Sequence, residues 1–416
     1  MQQSRCSVSR RRFLARAGAL ATSAALPTVL FARTGGGARL VVVVLRGALD
    51  GLAAVPPHGD TDYAELHREL AIPAPGSPDG ALPLDATFGL HPSLGFLHER
   101  FLGGELIVFQ AVASPYRDRS HFDGQNVLEN GLTQPIGTAD GWLNRALTAL
   151  PARFAVHRER AVAVSQNVPL ILRGDEPVLS KSPLATPDID EDLLTRLADL
   201  YSKDDWFSAR LSEGVQGEKL ADDRRGIAMV SEPPSPAMAG KPRASAQLIG
   251  AARMAASMLG GDAGPEVAVI EATGWDTHAN QGGSRGALAQ RLAGLDDALR
   301  ALSEGMGPLW PQTAVLVVTE FGRTASVNGT RGTDHGTGGC AFLAGGAVRG
   351  GRVIADWPGL TRKALLDGRD VRPTLDLRSV FKAVLADHIR IDARALTARV
   401  FPNSQGAPPL HELIRA

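Results

Sequence analysis

Six side chains able to ligate a divalent cation lie in four short polar motifs, each at or trailing the end of an apolar run. The motifs are LRGALDG (45–51), GWDTHANQG (274–282), TEFGRT (319–324) and GTDHGTGG (332–339). They supply Asp50, Asp276, His278, Glu320, Asp334 and His335. Carboxylate and imidazole are the ligands that borderline and hard divalent ions prefer. Four carboxylates gathered without a cation would repel one another and resist ionisation. The pattern therefore points to a metal site with one or two ions, and this ligand set leaves zinc, manganese, magnesium and calcium open.

The spacing refines that reading. Asp276 and His278 are two apart, so on an extended strand end both face one side. Asp334 and His335 are adjacent and can serve one ion, or two neighbouring ions, only where the backbone turns sharply; Gly332, Gly336, Gly338 and Gly339 allow that turn. A surface turn carrying a histidine is the bland alternative for that pair. Asp50 follows four consecutive valines and precedes Gly51, which suits a strand-end ligand and a turn aspartate equally. Glu320 has the same ambiguity after VLVVT, and Arg323 is either its ion-pair partner or a fork for an anionic substrate.

Such residues need a scaffold with one common edge. The apolar runs 39–45, 105–112, 267–272 and 313–319 are rich in Val, Ile and Leu without polar alternation, as buried parallel strands are. The stretch 287–304 carries leucines at 288, 292, 295, 299 and 302, one face of a helix. A further helix is expected from Leu375 to His388, with Asp376 at its start. This alternation predicts an α/β fold with a mainly parallel central sheet and helices on both faces. Ligands in such sheets collect at the carboxyl ends of the strands. Residues 175–265 read as a helical insertion or lid interrupted by SEPPSPAMAGKPR, and 56–90 as a long loop on the active edge or its rim.

The first 32 residues read as a twin-arginine signal peptide, leaving 33–416 as the main domain. Ser9-Arg10-Arg11-Arg12-Phe13-Leu14 precedes an alanine-rich, weakly apolar stretch from Ala15 to Ala32, the layout of that export signal. The expected partner is the twin-arginine translocase and the expected location is periplasmic or secreted. Removing the leader removes Cys6 and leaves Cys340, so no internal disulfide is available. Cys340, inside CAFLAGG, reads as a small buried hydrophobe. With 44 acidic and 44 basic residues, the chain has no cationic surplus for nucleic acid. No later run has the roughly 18 apolar residues of a membrane span.

In this order the motifs resemble the alkaline phosphatase superfamily, which includes sulfatases and cofactor-independent phosphoglycerate mutases. More closely, nearly the whole chain resembles the bacterial family catalogued as domain of unknown function 1501. RGALDG, SPYRDRSHFDGQ, GWLNR, GWDTHANQG, TEFGRT, RGTDHGTGG and GGRVIADWPGL carry that resemblance. It implies an alkaline-phosphatase-like three-layer fold and a Ser, Thr or Cys nucleophile at a helix start. Ser120, in RDRSHFDGQ, stands at the matching position, although a serine followed by Asp123 is also sufficient as a helix cap. His121 becomes an additional candidate ligand, and Arg119 and Arg46, with Arg323, candidate clamps for an anionic small-molecule or polymer substrate.

Two-metal members of the superfamily carry a further late histidine. Here only His388 and His411 follow the Asp-His-Gly motif, neither in a glycine-rich loop, so either His121 or His91 substitutes, or the site holds one metal rather than two or has lost catalysis. Two functions follow as expectations. One is an exported metal-dependent hydrolase of phosphate or sulfate esters. The other is a non-catalytic exported protein that binds a metal or ligand on a degenerate phosphatase-like site.

Overall fold

Strand β1 (Arg39–Arg46, RLVVVVLR) lies inside the main sheet, and its side chains supply two cores at once. Val41, Val43 and Leu45 enter one hydrophobic cluster, whereas Leu40, Val42 and Val44 enter another on the opposite face. An unbroken apolar run is what a strand covered on both faces requires. The computed structural model describes residues 37–150, 159–182, 243–261 and 264–415. The leader at 1–32 and residues 183–242 of the expected insertion lie outside the described residues.

Beside β1, and parallel to it, run β7 (Val267–Thr273) and β8 (Thr313–Thr319), with Val43 opposite Ile270 on one side and Val317 on the other. The remaining sheet strands are β4 (Leu106–Ala113), β5 (Ala161–Val164), β6 (Val178–Ser180), β9 (Gly339–Ala344), β10 (Arg352–Ile354) and β11 (Leu375–Asp376). The order is β10-β4-β9-β8-β1-β7-β5-β6, and β11 pairs with β4. A small antiparallel pair, β2 (Leu82–Pro83) and β3 (Gly89–Leu90), lies apart from it.

The expected mainly parallel sheet is present, with one reversal. Strand β9 is antiparallel to both β8 and β4. Its sequence, GCAFLA, is the apolar run around Cys340, which is buried as expected. The reversal has a functional consequence, because β9 begins where its parallel neighbours end. The loop carrying Asp334 and His335 therefore reaches the carboxyl edge by preceding a strand.

Helices cover both faces. On the Val41 side lie α3 (Gly95–Leu102), α6 (Arg243–Leu259) and α7 (Ala287–Met306). All five leucines of the α7 stripe are buried, each worth roughly 1.5–3 kcal/mol relative to exposure. Asp296 of α7 accepts the Phe96 and Leu97 N–H groups at 2.8 and 3.0 Å. It thereby caps α3, whose own N-cap, Leu94, has no side-chain acceptor. On the other face, α5 (Trp142–Thr148) and α8 (Leu377–Asp387) pack Trp142 on Phe381 with ring centroids 4.7 Å apart. Asp376 caps α8 through the Arg378 N–H, so that helix starts two residues later than its sequence pattern suggests.

Three further helices complete the edge: α1 (Gly51–Ala54), α2 (Tyr63–His67) and α4 (His121–Asn130). The stretch 56–90 is thus not a bare loop; it carries α2 and the β2–β3 pair. Of the expected insertion, β6 and α6 are described, and α6 belongs to the sheet-covering layer. Among the described residues no helix is long and apolar enough to cross a membrane.

Candidate metal centre

Three histidines from three different chain segments converge on one aspartate. His121 is the first residue of α4; Asp276 and His278 follow β7; His335 precedes β9. Asp276 Oδ1 is 3.0 Å from His278 Nε2 and 3.3 Å from His335 Nε2, and Asp276 Oδ2 is 3.4 Å from His121 Nε2. The Nε2 atoms of His278 and His335 are 2.9 Å apart. Among the described residues, His121, Asp276 and His335 are the group whose ligand atoms all lie within 4.8 Å of one another.

The opposite nitrogens decide what those Nε2 atoms are. His335 Nδ1 is 2.9 Å from the Arg119 carbonyl, which only accepts, so Nδ1 carries a proton. His121 Nδ1 faces Glu320 at 2.8 Å and His278 Nδ1 faces Asp334 at 3.1 Å. Each imidazole is thus anchored through Nδ1–H, and in its neutral form presents a lone pair from Nε2. Two such lone pairs at 2.9 Å repel unless a cation or a proton stands between them. His121 Nε2 is buried without any hydrogen-bond partner. Backbone carbonyl and carboxylate partners behind metal-bound imidazoles are a recurrent arrangement.

The separations fit an ion. Nitrogen and oxygen ligands about 2.0–2.1 Å from a tetrahedral zinc stand roughly 3.3–3.4 Å from one another. The His121 separation from Asp276 Oδ2 and the His335 separation from Asp276 Oδ1 are each close to that length, on different oxygens of the carboxylate, and His278 lies slightly inside it.

Glu320 and Asp334 stand one bond farther out. Glu320 is fully buried, and its Oε1 receives Gly47 N–H at 2.8 Å and Gln125 Nε2 at 3.1 Å besides His121. Burial pushes its carboxyl up, but these donors outweigh that and hold it below the usual range. Asp334 is held low chiefly by Asn328, despite some burial, and also by His278. The Glu320 hydrogen bond raises the pKa of His121, whereas partial burial lowers that of His335. Partial burial also raises Asp276, but the hydrogen bond from Arg323 at 2.5 Å overrides it.

Asp50 does not join this group. Its carboxylate is buried, caps α1 through the Leu52 and Ala53 N–H groups, receives Gln281 Nε2 at 2.7 Å and faces His67 Nε2 at 3.4 Å. His67, Gln125 and Gln281 carry no sequence signal beyond their polarity, and none is singled out by the motif reading.

The three candidate arginines are already partnered. Arg46, at the end of β1, pairs with Glu129 and Glu271 and bonds Gln125. Arg119 pairs with Asp367 and Asp370, and its backbone is left-handed at φ 63°, which aims its carbonyl at His335. Arg323 is buried between Asp276 and Thr333. Ser120 is the N-cap of α4, but its side chain makes no capping bond, so the capping-box reading does not account for its hydroxyl.

His91, His388 and His411 do not belong to this group. His91 accepts the Ser93 N–H at Nδ1 and donates from Nε2 to the Gly283 carbonyl. His388 bonds the carbonyl of Arg39, at the start of β1 and so at the opposite edge of the sheet. His411 is exposed.

A family model described as "Protein of unknown function (DUF1501)" matches residues 87–400. No curated protein matches the chain. Among solved structures, Ps i-CgsB, determined in complex with k-i-k-neocarrahexaose, is similar at 9% identity with a TM-score of 0.32, covering 77% of this chain and 68% of that one. BT1596, described as a 2-O GAG sulfatase, is similar at 10% identity and a TM-score of 0.30, covering 77% and 66%. Similarity at this level leaves the activity of this chain to be argued from its own site.

Proposed function

This chain belongs to the DUF1501 family, and we propose that it is a metal-dependent hydrolase of phosphate or sulfate esters, exported by the twin-arginine pathway and working in the periplasm or beyond. One observation carries the reading: three imidazoles, each fixed through Nδ1–H, direct Nε2 at one another and at Asp276. His121, Asp276 and His335 would hold a divalent ion, with His278 at its edge. The ion would supply Lewis acidity and lower the pKa of a nearby hydroxyl.

Ser120 precedes His121 in the chain, and its hydroxyl is not spent on capping. Its place at the start of α4 puts it beside the N–H groups of the first helical turn, a favourable setting for an anion. In the proposed reaction Ser120 Oγ bonds to the ester phosphorus or sulfur. The bond to the leaving alcohol oxygen breaks, and that oxygen takes up a proton. Water then cleaves the seryl ester, releasing phosphate or sulfate and restoring the serine.

A second reading is favoured by the arginines, which all face internal carboxylates. It is a metal- or ligand-binding protein without turnover. Elemental analysis of natively purified protein, together with a panel of aryl phosphates and aryl sulfates, separates the two. Near-stoichiometric metal, with turnover lost in Ser120→Ala and in Asp276→Ala, supports the hydrolase. Metal without turnover supports the binding protein, and less than about 0.1 equivalent of metal overturns the hydrolase and any metal-binding role.

A further inference from the structure

A second group of unpaired donors lies beside the metal centre, in a cavity of about 180 Å³. Its floor is the carboxyl end of β5 and β7, with Ser165 and residues Glu271–Thr273; α6 contributes Ser245 and Gln247, and α7 contributes Arg291. Trp275, next to Asp276 in the chain, also lines it. The cavity and the metal centre thus share the segment 274–276.

The charge arrangement here differs from that around Arg46, Arg119 and Arg323. Arg291 has no hydrogen bond or ion pair among the described residues, and its Nε is buried without a partner. The Trp275 side chain is 2% exposed, and its indole N–H is likewise buried and unpartnered. A buried indole N–H ordinarily finds an acceptor. The cavity's carboxylate, Glu271, is committed to Arg46. The guanidinium also has a fixed seat. It lies against the backbone of Gly274, where φ is +90° and a Cβ would stand 2.4 Å from Arg291 Nη1. A larger residue at 274 would displace the arginine, so the loop is shaped to receive it.

We infer that this cavity binds a compact oxyanion, a carboxylate or sulfo group, through Arg291 and Trp275. A cation and a neutral donor lacking acceptors, with serine and glutamine side chains around them, form a cradle that an oxyanion completes. If the ester hydrolase reading holds, the bound group is a second anionic substituent of the substrate, and that assignment rests on the reading. The anion site itself does not.

The test uses the full chain stripped with chelator, at pH 8, where free imidazoles are neutral. Sodium sulfate is titrated at constant ionic strength, and binding is followed by calorimetry and tryptophan fluorescence. Saturable binding is expected. Arg291→Gln should weaken it at least about tenfold and Arg291→Lys less, because the charge remains without the fork. Trp275→Phe, which deletes the indole N–H in an aromatic of similar character, should weaken it about threefold. Absence of saturation in the parent chain, or equal affinity in properly folded Arg291→Gln and Trp275→Phe, overturns the inference. Metal content is measured separately on untreated protein. Sulfate binding without metal uptake would sink the hydrolase and keep this site, and the reverse would do the opposite.

Discussion

Replacing Asp50 by Asn tests whether this carboxylate serves the fold or the ion. Burial alone would push the Asp50 carboxyl up, but His67, Gln281 and the Ala53 N–H together bring it from an ordinary 3.8 down to about 2. At 1.36 kcal/mol per unit, that shift is worth roughly 2.5 kcal/mol of folding stability. His67 moves the other way: burial lowers its pKa, but the facing carboxylate more than compensates and raises it above 6.5. The signs define a window. The depressed Asp50 contributes fully above about pH 4 and loses its contribution as pH falls through about 2, whereas the raised His67 contributes fully below about 6.5 and loses its contribution as pH rises through its folded value. Asn keeps the shape and can still cap α1, but removes the charge facing His67. Urea unfolding of the two proteins should therefore differ by about 3 kcal/mol at pH 5.5, in the range for breaking a buried pair, and by less at pH 9. Metal stoichiometry should be unchanged. A loss below about 1 kcal/mol, a gap that does not narrow with pH, or loss of the ion would refute the reasoning.

Three other substitutions probe the surrounding parts. Glu320→Gln keeps the volume but weakens the anchor of His121, so zinc affinity measured by competition with a chelating dye should fall about 10–100-fold while the protein stays folded. Gly322→Ala places a Cβ 2.0 Å from the Gly338 carbonyl oxygen, where the loops bearing Arg323 and His335 run backbone to backbone. It should lower stability by about 2 kcal/mol or more in urea melts and reduce metal uptake. Asp296→Ala uncaps α3 and should cost about 1–2 kcal/mol. Burial places the Asp296 carboxyl up at about 6 despite its hydrogen bonds, so the native state takes up this proton before the unfolded chain does and that penalty should grow as pH falls through about 6.

The scaffold was legible because its strands are buried on both faces, which writes each as an unbroken apolar run. The leucine stripe of α7 was legible for the same reason. Strand β9 was not, since direction leaves no mark on a six-residue apolar segment, and β5 and β6 are too short to stand out. Asp276, His278 and His335 belong to motifs whose residue types suggested a metal, whereas His121 became a candidate only through the family resemblance. Their division into an inner group and the outer Glu320 and Asp334 depends on which way each loop turns. Asp50 shows the limit most directly. Its position after β1 is the expected one, but the turn through Gly47 and Ala48, both with positive φ, carries its side chain into the fold toward His67. The partners of the arginines were equally hidden: Glu271 is 225 residues from Arg46, and no local pattern links them.

Pairing of the arginines also determines how an anionic substrate could be held. Arg46 shares two acids, Arg119 two, and Arg323 is bound to the same Asp276 that faces the imidazoles. Recruiting any of them would take a partner from a carboxylate, leaving Glu129 buried without an arginine and the buried Asp370 with Arg369 alone, and buried charges left alone are costly. Arg291 can be recruited without that penalty, because among the described residues no acid is paired with it. An ester whose reacting group sits at the imidazoles, with a second anionic group on Arg291, is therefore the ligand this electrostatic arrangement favours. On that argument Arg291→Gln should raise KM for a doubly anionic substrate at least about tenfold and leave KM for a singly charged aryl ester nearly unchanged. Equal effects on both substrates would place the arginine's influence in the fold rather than in the recognition of charge.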